Sequence, residues 1–258
     1  MPQPADLDPG AYAADGGRMG VLLIHGFTGS AAETRPMGEY LAARGFTVRC
    51  PLLPGHGTTA EDLTHIHWQA WAKAAESALD DLQDRCQVVF VGGLSLGALL
   101  TLWFGAEHPE IAGLLAMAPA VRVRNRWLPL SLALRYVLKY WPFSPPGDQD
   151  LGDPDGLQRI WCYDQTPLWG AAEVYLLQRR VRRALPRVRQ PILIFQGRRD
   201  AALAPEAAQV VYDRVASTDK TLVWLEHSGH NLLADGEREA AWTHSHTWMA
   251  QRAGRPPG

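Results

Sequence analysis

Charge of one sign is not in excess in this chain: 25 lysines and arginines stand against 27 aspartates and glutamates, for a formal net charge of -2. So even a balance lacks the basic surface by which a nucleic-acid-binding domain gathers phosphates. No nucleic-acid partner is expected, and a small neutral substrate fits better. Cysteine is scarce. Cys50, Cys86 and Cys162 are an odd number with no CxxC spacing, which argues against a disulfide framework or a cysteine zinc site; free, mostly buried thiols are the expectation. The histidines of "HIH" (His65, His67) and "HSGH" (His227, His230) have no carboxylate or thiolate cluster beside them, so neither a metal nor a cofactor is predicted. The N-terminal "MPQPADLDPGAYAADGG" has no basic region followed by an apolar run. The expectation is therefore no signal peptide and cytoplasmic residence.

One segment imitates a membrane span. From Gln87 to Ala106 no residue is charged, which matches the roughly 20 residues a transmembrane helix requires. Its interior reads differently: Val88 to Val91 is a β-branched and aromatic run of strand length, Gly92 and Gly93 punctuate it, and helix-forming residues begin only after Ser95. No transmembrane segment is predicted. With 258 residues, 47% hydrophobic and 20% charged, the chain suits one large domain or one domain carrying an insertion.

What the sequence does contain is a series of short apolar runs of strand type, most of them uninterrupted: Val21 to His25, Phe46 to Cys50, Gln87 to Val91, Ala112 to Met117, Pro191 to Gln196 and Thr221 to Leu225. Strands buried on both faces read this way, and the stretches between them are helix-like. The predicted fold class is α/β, a mostly parallel sheet flanked by helices. Ser30-Ala31-Ala32-Glu33 reads as a capping box opening a helix to about Arg44, stopped at Gly45. A second helix is expected from about Trp68 to Arg85, with a stripe at Trp71, Ala75, Ala78, Leu79 and Leu82. Pro205 opens another, and about Gly236 to Gln251 supplies the last. Residues 121–190 break the rhythm and read as a helical lid, between core segments 1–120 and 191–258. Trp127, Tyr136, Tyr140, Trp141, Trp161, Tyr163 and Trp169 would give the lid an apolar underside or its own small core. Its arginine clusters, "RVRNR" and "RRVRR", read as solvated helix faces.

The chemistry centres on Gly93-Leu94-Ser95-Leu96-Gly97. A lone GxSxG is a weak signal, but here it follows a predicted buried strand and precedes a predicted helix, the context of a nucleophile elbow. Gly93 and Gly97 let strand and helix approach closely while the turn lifts the Ser95 hydroxyl above the sheet edge. A serine needs a base, and the base an orienting group. Asp200, ending "QGRRD" after one strand, and His230, in "EHSGH" after the next, follow in the order Ser, Asp, His. His227, Asp164, Asp213 and Asp219 are weaker rivals. For the oxyanion, the expected donors are the N–H groups of Leu96 and of Phe27, in "HGFTGS" after the Val21 strand. The Phe27 ring is also a candidate wall of the acyl pocket.

Together "VLLIHGFTGS", "PLLPGHGTT", "GLSLG", "QGRRD" and "EHSGH" resemble the bacterial carboxylesterases and monoacylglycerol lipases of the α/β-hydrolase superfamily, over most of residues 20–250. The resemblance implies the α/β-hydrolase fold and a helical lid. It assigns the triad to Ser95, Asp200 and His230 and the oxyanion hole to Phe27 and Leu96. The implied substrate is a small ester of short to medium acyl chain or a monoacylglycerol. It also suggests that His56, in "PGHG", stabilises a turn. The N-terminal 20 residues are too short for the two leading strands of larger members, so a smaller sheet is expected. A thioesterase, amide hydrolase or acyltransferase using the same triad, or a ligand-binding protein that has lost turnover, are the alternatives.

Overall fold

The apolar runs become strands of one sheet. In the computed structural model, which describes residues 7–141 and 150–253, they are β2 (Met19–Ile24), β3 (Thr47–Cys50), β4 (Val88–Leu94), β5 (Gly113–Met117), β6 (Ile192–Gly197) and β7 (Lys220–Leu225). A further strand, β1 (Tyr12–Ala14), precedes them, so one short leading strand stands where larger members carry two. The order is β1-β3-β2-β4-β5-β6-β7. Every neighbouring pair is parallel except β1 with β3. β5 and β6 are buried along their whole length, and β4 is buried from Val89 onward. That double-sided burial is why their sequences run apolar without alternation.

The chain runs from β2 out to β3 and then crosses back to β4 on the other side of β2. The loops leaving β2 and β4 therefore diverge at their carboxyl ends. In open α/β sheets this switch point is where a crevice forms. The register places Ile24 opposite Gly93, so the segment after β2 starts beside the turn that carries Ser95.

The helices are α1 (Arg35–Ala42), α2 (Trp68–Arg85), α3 (Leu96–Glu107), α4 (Ser131–Leu134), α5 (Leu168–Ala184), α6 (Ala207–Arg214) and α7 (Arg238–Ala250). α2 has the predicted bounds and buries Trp71, Ala75, Leu79 and Leu82. The uncharged run divides into β4 and α3, and no described helix is long and apolar enough to cross a membrane. α3 is apolar all round because it is enclosed: Leu96, Leu99, Leu100 and Leu102 have no exposed surface. Each such leucine removed from water stabilises the fold by about 1.5–3 kcal/mol.

Two expectations need correction here. The helix foreseen from Ser30 is a 3₁₀ turn, Ala31–Glu33, followed by α1. The Ser30 hydroxyl does cap, accepting from Ala32 N–H at 3.3 Å, but the Glu33 side chain does not reach back to Ser30 and turns to the loop of Gly26 instead. Gly45 ends the α1 segment at φ +86°, as its lack of a Cβ allows.

The second correction concerns the helical insertion between β5 and β6. Trp141, Trp161 and Tyr163 are buried, but Trp127 is 52% and Tyr136 68% exposed. Their rings lie against Arg126 and Arg135 on short turns around α4, and the Tyr136 ring also meets that of Trp169. The Pro/Gly/Asp-rich stretch "SPPGDQDLGDPDG", which begins at Ser144 and reads as a loop of the insertion, lies partly outside the described residues. Of the thiols, Cys50 is buried whereas Cys86 and Cys162 are half-buried.

Candidate active site

Ser95 sits between β4 and α3 at φ 56°, ψ −105°, a left-handed backbone that costs about 1–3 kcal/mol in a non-glycine residue. Close packing holds it there. A Cβ on Gly93 would lie 2.4 Å from the Gly97 carbonyl carbon, and one on Gly97 would lie 2.0 Å from the Ile24 oxygen. The Ser95 N–H donates to the Met117 carbonyl at 2.9 Å, tying the turn to β5.

His230 and Asp200 arrive from β7 and β6, whose ends pair at Leu225 and Gly197. His230 Nε2 lies 2.9 Å from Ser95 Oγ, and His230 Nδ1 lies 2.9 Å from Asp200 Oδ2. A carboxylate only accepts, so Nδ1 carries the ring proton and Nε2 is left to accept from the serine hydroxyl. Asp200 is buried and its oxygens are divided between tasks. Oδ1 accepts from the N–H groups of Ala202 (2.9 Å) and Leu203 (2.8 Å), while Oδ2 takes Gln196 Nε2 at 2.6 Å as well as the imidazole. Burial pushes the Asp200 carboxyl up, but the His230 charge and these hydrogen bonds outweigh it and hold the group below its ordinary value. Burial likewise lowers His230, and Asp200, with smaller contributions from Asp150 and Glu33, raises it above 6.5.

The loop after β2 is fixed by side chains whose part the sequence did not disclose. His25 is fully buried, and burial lowers its pKa to about 4. Its Nε2 accepts from Leu53 N–H at 3.0 Å, so the proton is on Nδ1, which donates to Gly26 O at 2.8 Å. The two ends of a trans peptide point opposite ways; holding the Gly26 carbonyl on one side turns the Phe27 N–H to the other. Gly26 N–H donates to Glu33 Oε2 at 2.8 Å. Thr28 O accepts from Tyr163 N–H at 2.9 Å, which joins the loop to the insertion. Gly26, Phe27, Glu33, Ser95, Asp150, Cys162 and His230 are among the residues lining one cavity of about 140 Å³.

Asp150 also escaped the sequence reading. Its carbonyl accepts from His230 N–H at 2.8 Å, and its Oδ2 accepts from the N–H groups of Ala201 and Ala202. It thus braces the loops of base and acid against each other. The rival candidates lie elsewhere: His227 and Asp164 are exposed, Asp213 accepts from Gln209, and Asp219 pairs with Arg252. His56 is buried beside the Pro54 carbonyl, consistent with a turn-holding part. Among the described residues no group of three or more His, Cys, Asp and Glu is arranged to hold a metal ion.

The family model described as "Serine aminopeptidase, S33" matches residues 17–237. The thermostable monoacylglycerol lipase of Bacillus sp. (strain H-257) is 31% identical over 243 residues, 94% of this chain and 95% of that protein. The chain belongs to the carboxylesterase and monoacylglycerol lipase family of the α/β-hydrolase superfamily. The carboxylesterase of Bacillus subtilis (strain 168) is 29% identical over 234 residues, 90% of this chain and 93% of that one. A solved structure from work on the metagenome-derived lipolytic enzymes LipS and LipT is similar with a TM-score of 0.86. It is 31% identical and the match covers 95% of this chain and 98% of that one. The protein is accordingly a hydrolase of the esterase and lipase type.

Proposed function

We propose that this hydrolase cleaves carboxylic esters of short to medium acyl chain, with Ser95 as nucleophile, His230 as general base and acid, and Asp200 as the group that orients and charges His230. The observation that carries the reading is the unbroken hydrogen-bond chain from Ser95 Oγ through His230 to Asp200, with 2.9 Å at each link. His230 takes the hydroxyl proton as Ser95 Oγ attacks the ester carbonyl, and the imidazolium is stabilised by Asp200. The resulting oxyanion accepts from the N–H groups of Phe27 and Leu96, each such donor being worth about 2.7–4 kcal/mol in the transition state. His230 returns the proton to the departing alkoxide, leaving an acyl-enzyme on Ser95. Water, deprotonated by the same imidazole, then releases the acid.

The ester reading is supported by the relatives of 31% and 29% identity, a monoacylglycerol lipase and a carboxylesterase, both of which are ester hydrolases by name. The cavity of about 140 Å³ is below the 300–1,000 Å³ of drug-sized pockets. Aryl-ester turnover is therefore expected to be highest on short to medium acyl chains and to fall beyond them. A series of p-nitrophenyl esters, run beside monoacylglycerols, thioesters and amides of the same acyl groups, measures this. A thioester or amide preference would replace the ester assignment, and a maximum at long chains would contradict the size argument.

The protonation of His230 sets the pH profile. The base works only when neutral, and its pKa is raised above 6.5, so kcat/KM should rise with pH with its midpoint above that value. Initial rates of a short aryl ester from pH 5 to 9 test this; a rate flat from pH 5 to 8 would contradict a histidine base.

A further inference from the structure

Glu33 is a buried carboxyl that faces the reaction cavity and has no part in the reaction proposed above. It is 6% exposed and stands on the 3₁₀ turn before α1. One oxygen, Oε2, accepts from Gly26 N–H at 2.8 Å. The other, Oε1, accepts from Asn231 Nδ2 at 3.1 Å. Gly26 directly precedes Phe27, and Asn231 directly follows His230. The side chain thus spans two loops far apart in the chain, each bearing a group of the proposed machinery.

The surroundings are shaped to admit it. A Cβ on Gly29 would lie 2.4 Å from Glu33 Oε1, so the carboxyl fits only because residue 29 has no side chain. Burying a carboxyl away from water is costly, and the hydrogen bonds that offset this come from a backbone N–H and a side-chain amide. Burial raises its pKa to about 7, against the opposing effects of Gly26, His230 and Asn231. A helix cap does not explain the arrangement, since the Glu33 side chain leaves Ser30 unserved.

We propose that Glu33 is a positioning residue, a strut between the Phe27 loop and the His230 loop that keeps oxyanion donor and base at the spacing the transition state requires. The inference rests on the roles given above to Ser95, His230 and Phe27. Gly26 is held on both sides, its carbonyl by His25 and its N–H by Glu33. Without the carboxyl, one of the two bonds that aim the following N–H is gone. The acceptor need not be charged. Asn231 Oδ1 is buried without a partner, so turning that amide over would offer an acceptor to a glutamine NH₂ at residue 33, while the glutamine oxygen keeps the Gly26 bond.

The test compares Glu33→Ala and Glu33→Gln with wild type on one short p-nitrophenyl ester, with the rate of Ser95 phosphonylation as second readout. Glu33→Ala is expected to lower kcat about 10- to 100-fold, part of the cost of losing an oxyanion donor. KM should stay within about threefold, and phosphonylation should slow in parallel. Glu33→Gln should keep kcat within about threefold of wild type. Should Glu33→Ala fail to reach the wild-type circular dichroism spectrum, Asn231→Leu, which frees only the His230 end, takes its place with an expected loss of about 5- to 20-fold in kcat. A folded variant with kcat within twofold of wild type, a loss confined to KM, or a Glu33→Gln as impaired as Glu33→Ala would each overturn the strut. Wild type that neither turns over esters nor takes up phosphonate would instead remove the reading of the site and the strut with it.

Discussion

Replacing Ser95 by alanine is expected to lower kcat on a short aryl ester by roughly 10⁵ to 10⁶ while leaving the circular dichroism spectrum unchanged. His230→Ala should do the same, because nucleophile and base act as one unit and the loss of either leaves only binding and the oxyanion donors. Asp200→Asn is the more informative companion. Asp200 Oδ1 accepts from two backbone N–H groups, of Ala202 and Leu203, so an asparagine would keep its oxygen there and present its NH₂ to His230 Nδ1. That Nδ1 would then have to accept, moving the ring proton to Nε2, which could no longer take the proton of Ser95. The expected cost is about 10⁴ in kcat with little change in KM. Stopped assays at high enzyme concentration, with phosphonate labelling of each variant, measure all three. Retention of more than a few per cent of activity in Ser95→Ala or His230→Ala would refute their assignment.

The parts of this fold legible in the sequence are those where one physical demand governs a whole segment. Strands buried on both faces must be apolar throughout, so β2, β4, β5 and β6 appear as uninterrupted runs, and the order of Ser95, Asp200 and His230 follows from which strand ends they close. Legibility failed where a residue answers to a distant partner. β1 is three residues long, alternates in exposure and exists by pairing with β3, which no local pattern announces. β4 continues through Gly92 and Gly93 to Leu94, although the glycines read as its end; Gly93 is there for the approach of α3. Glu33 is the clearest instance. Its spacing from Ser30 suits a capping box, but its carboxyl goes to Gly26 and Asn231, and the second of these is brought close only by the completed sheet. A local motif and a long-range contact competed for one side chain, and the buried contact won.

Gly97→Ala is the substitution expected to damage the fold most for the smallest chemical change. Helix propensity alone favours it, alanine being better than glycine inside a helix by about 1 kcal/mol. Packing opposes it. The added Cβ would lie 2.0 Å from the Ile24 oxygen, 2.6 Å from its carbonyl carbon and 2.9 Å from the His25 oxygen. All three are backbone atoms at the end of β2, a strand held between β3 and β4, so relief requires α3 to move. Overpacking of this kind typically costs about 1–3 kcal/mol and occasionally more. With backbone as the obstacle a net loss near the top of that range is expected, lowering Tm by roughly 6–12 °C. Because Ser95 caps α3, shifting the helix also moves the hydroxyl from His230 Nε2, and a displacement of about 1 Å is enough for a 10²-fold loss of turnover. The neighbouring Ala98, fully buried in the same helix, shows that a methyl group is tolerated one residue on, where its direction differs. Calorimetry and single-turnover acylation on Gly97→Ala read the two effects separately; a Tm within 2 °C of wild type together with full acylation would mean that α3 and β2 do not need the close approach on which the Ser95 turn depends.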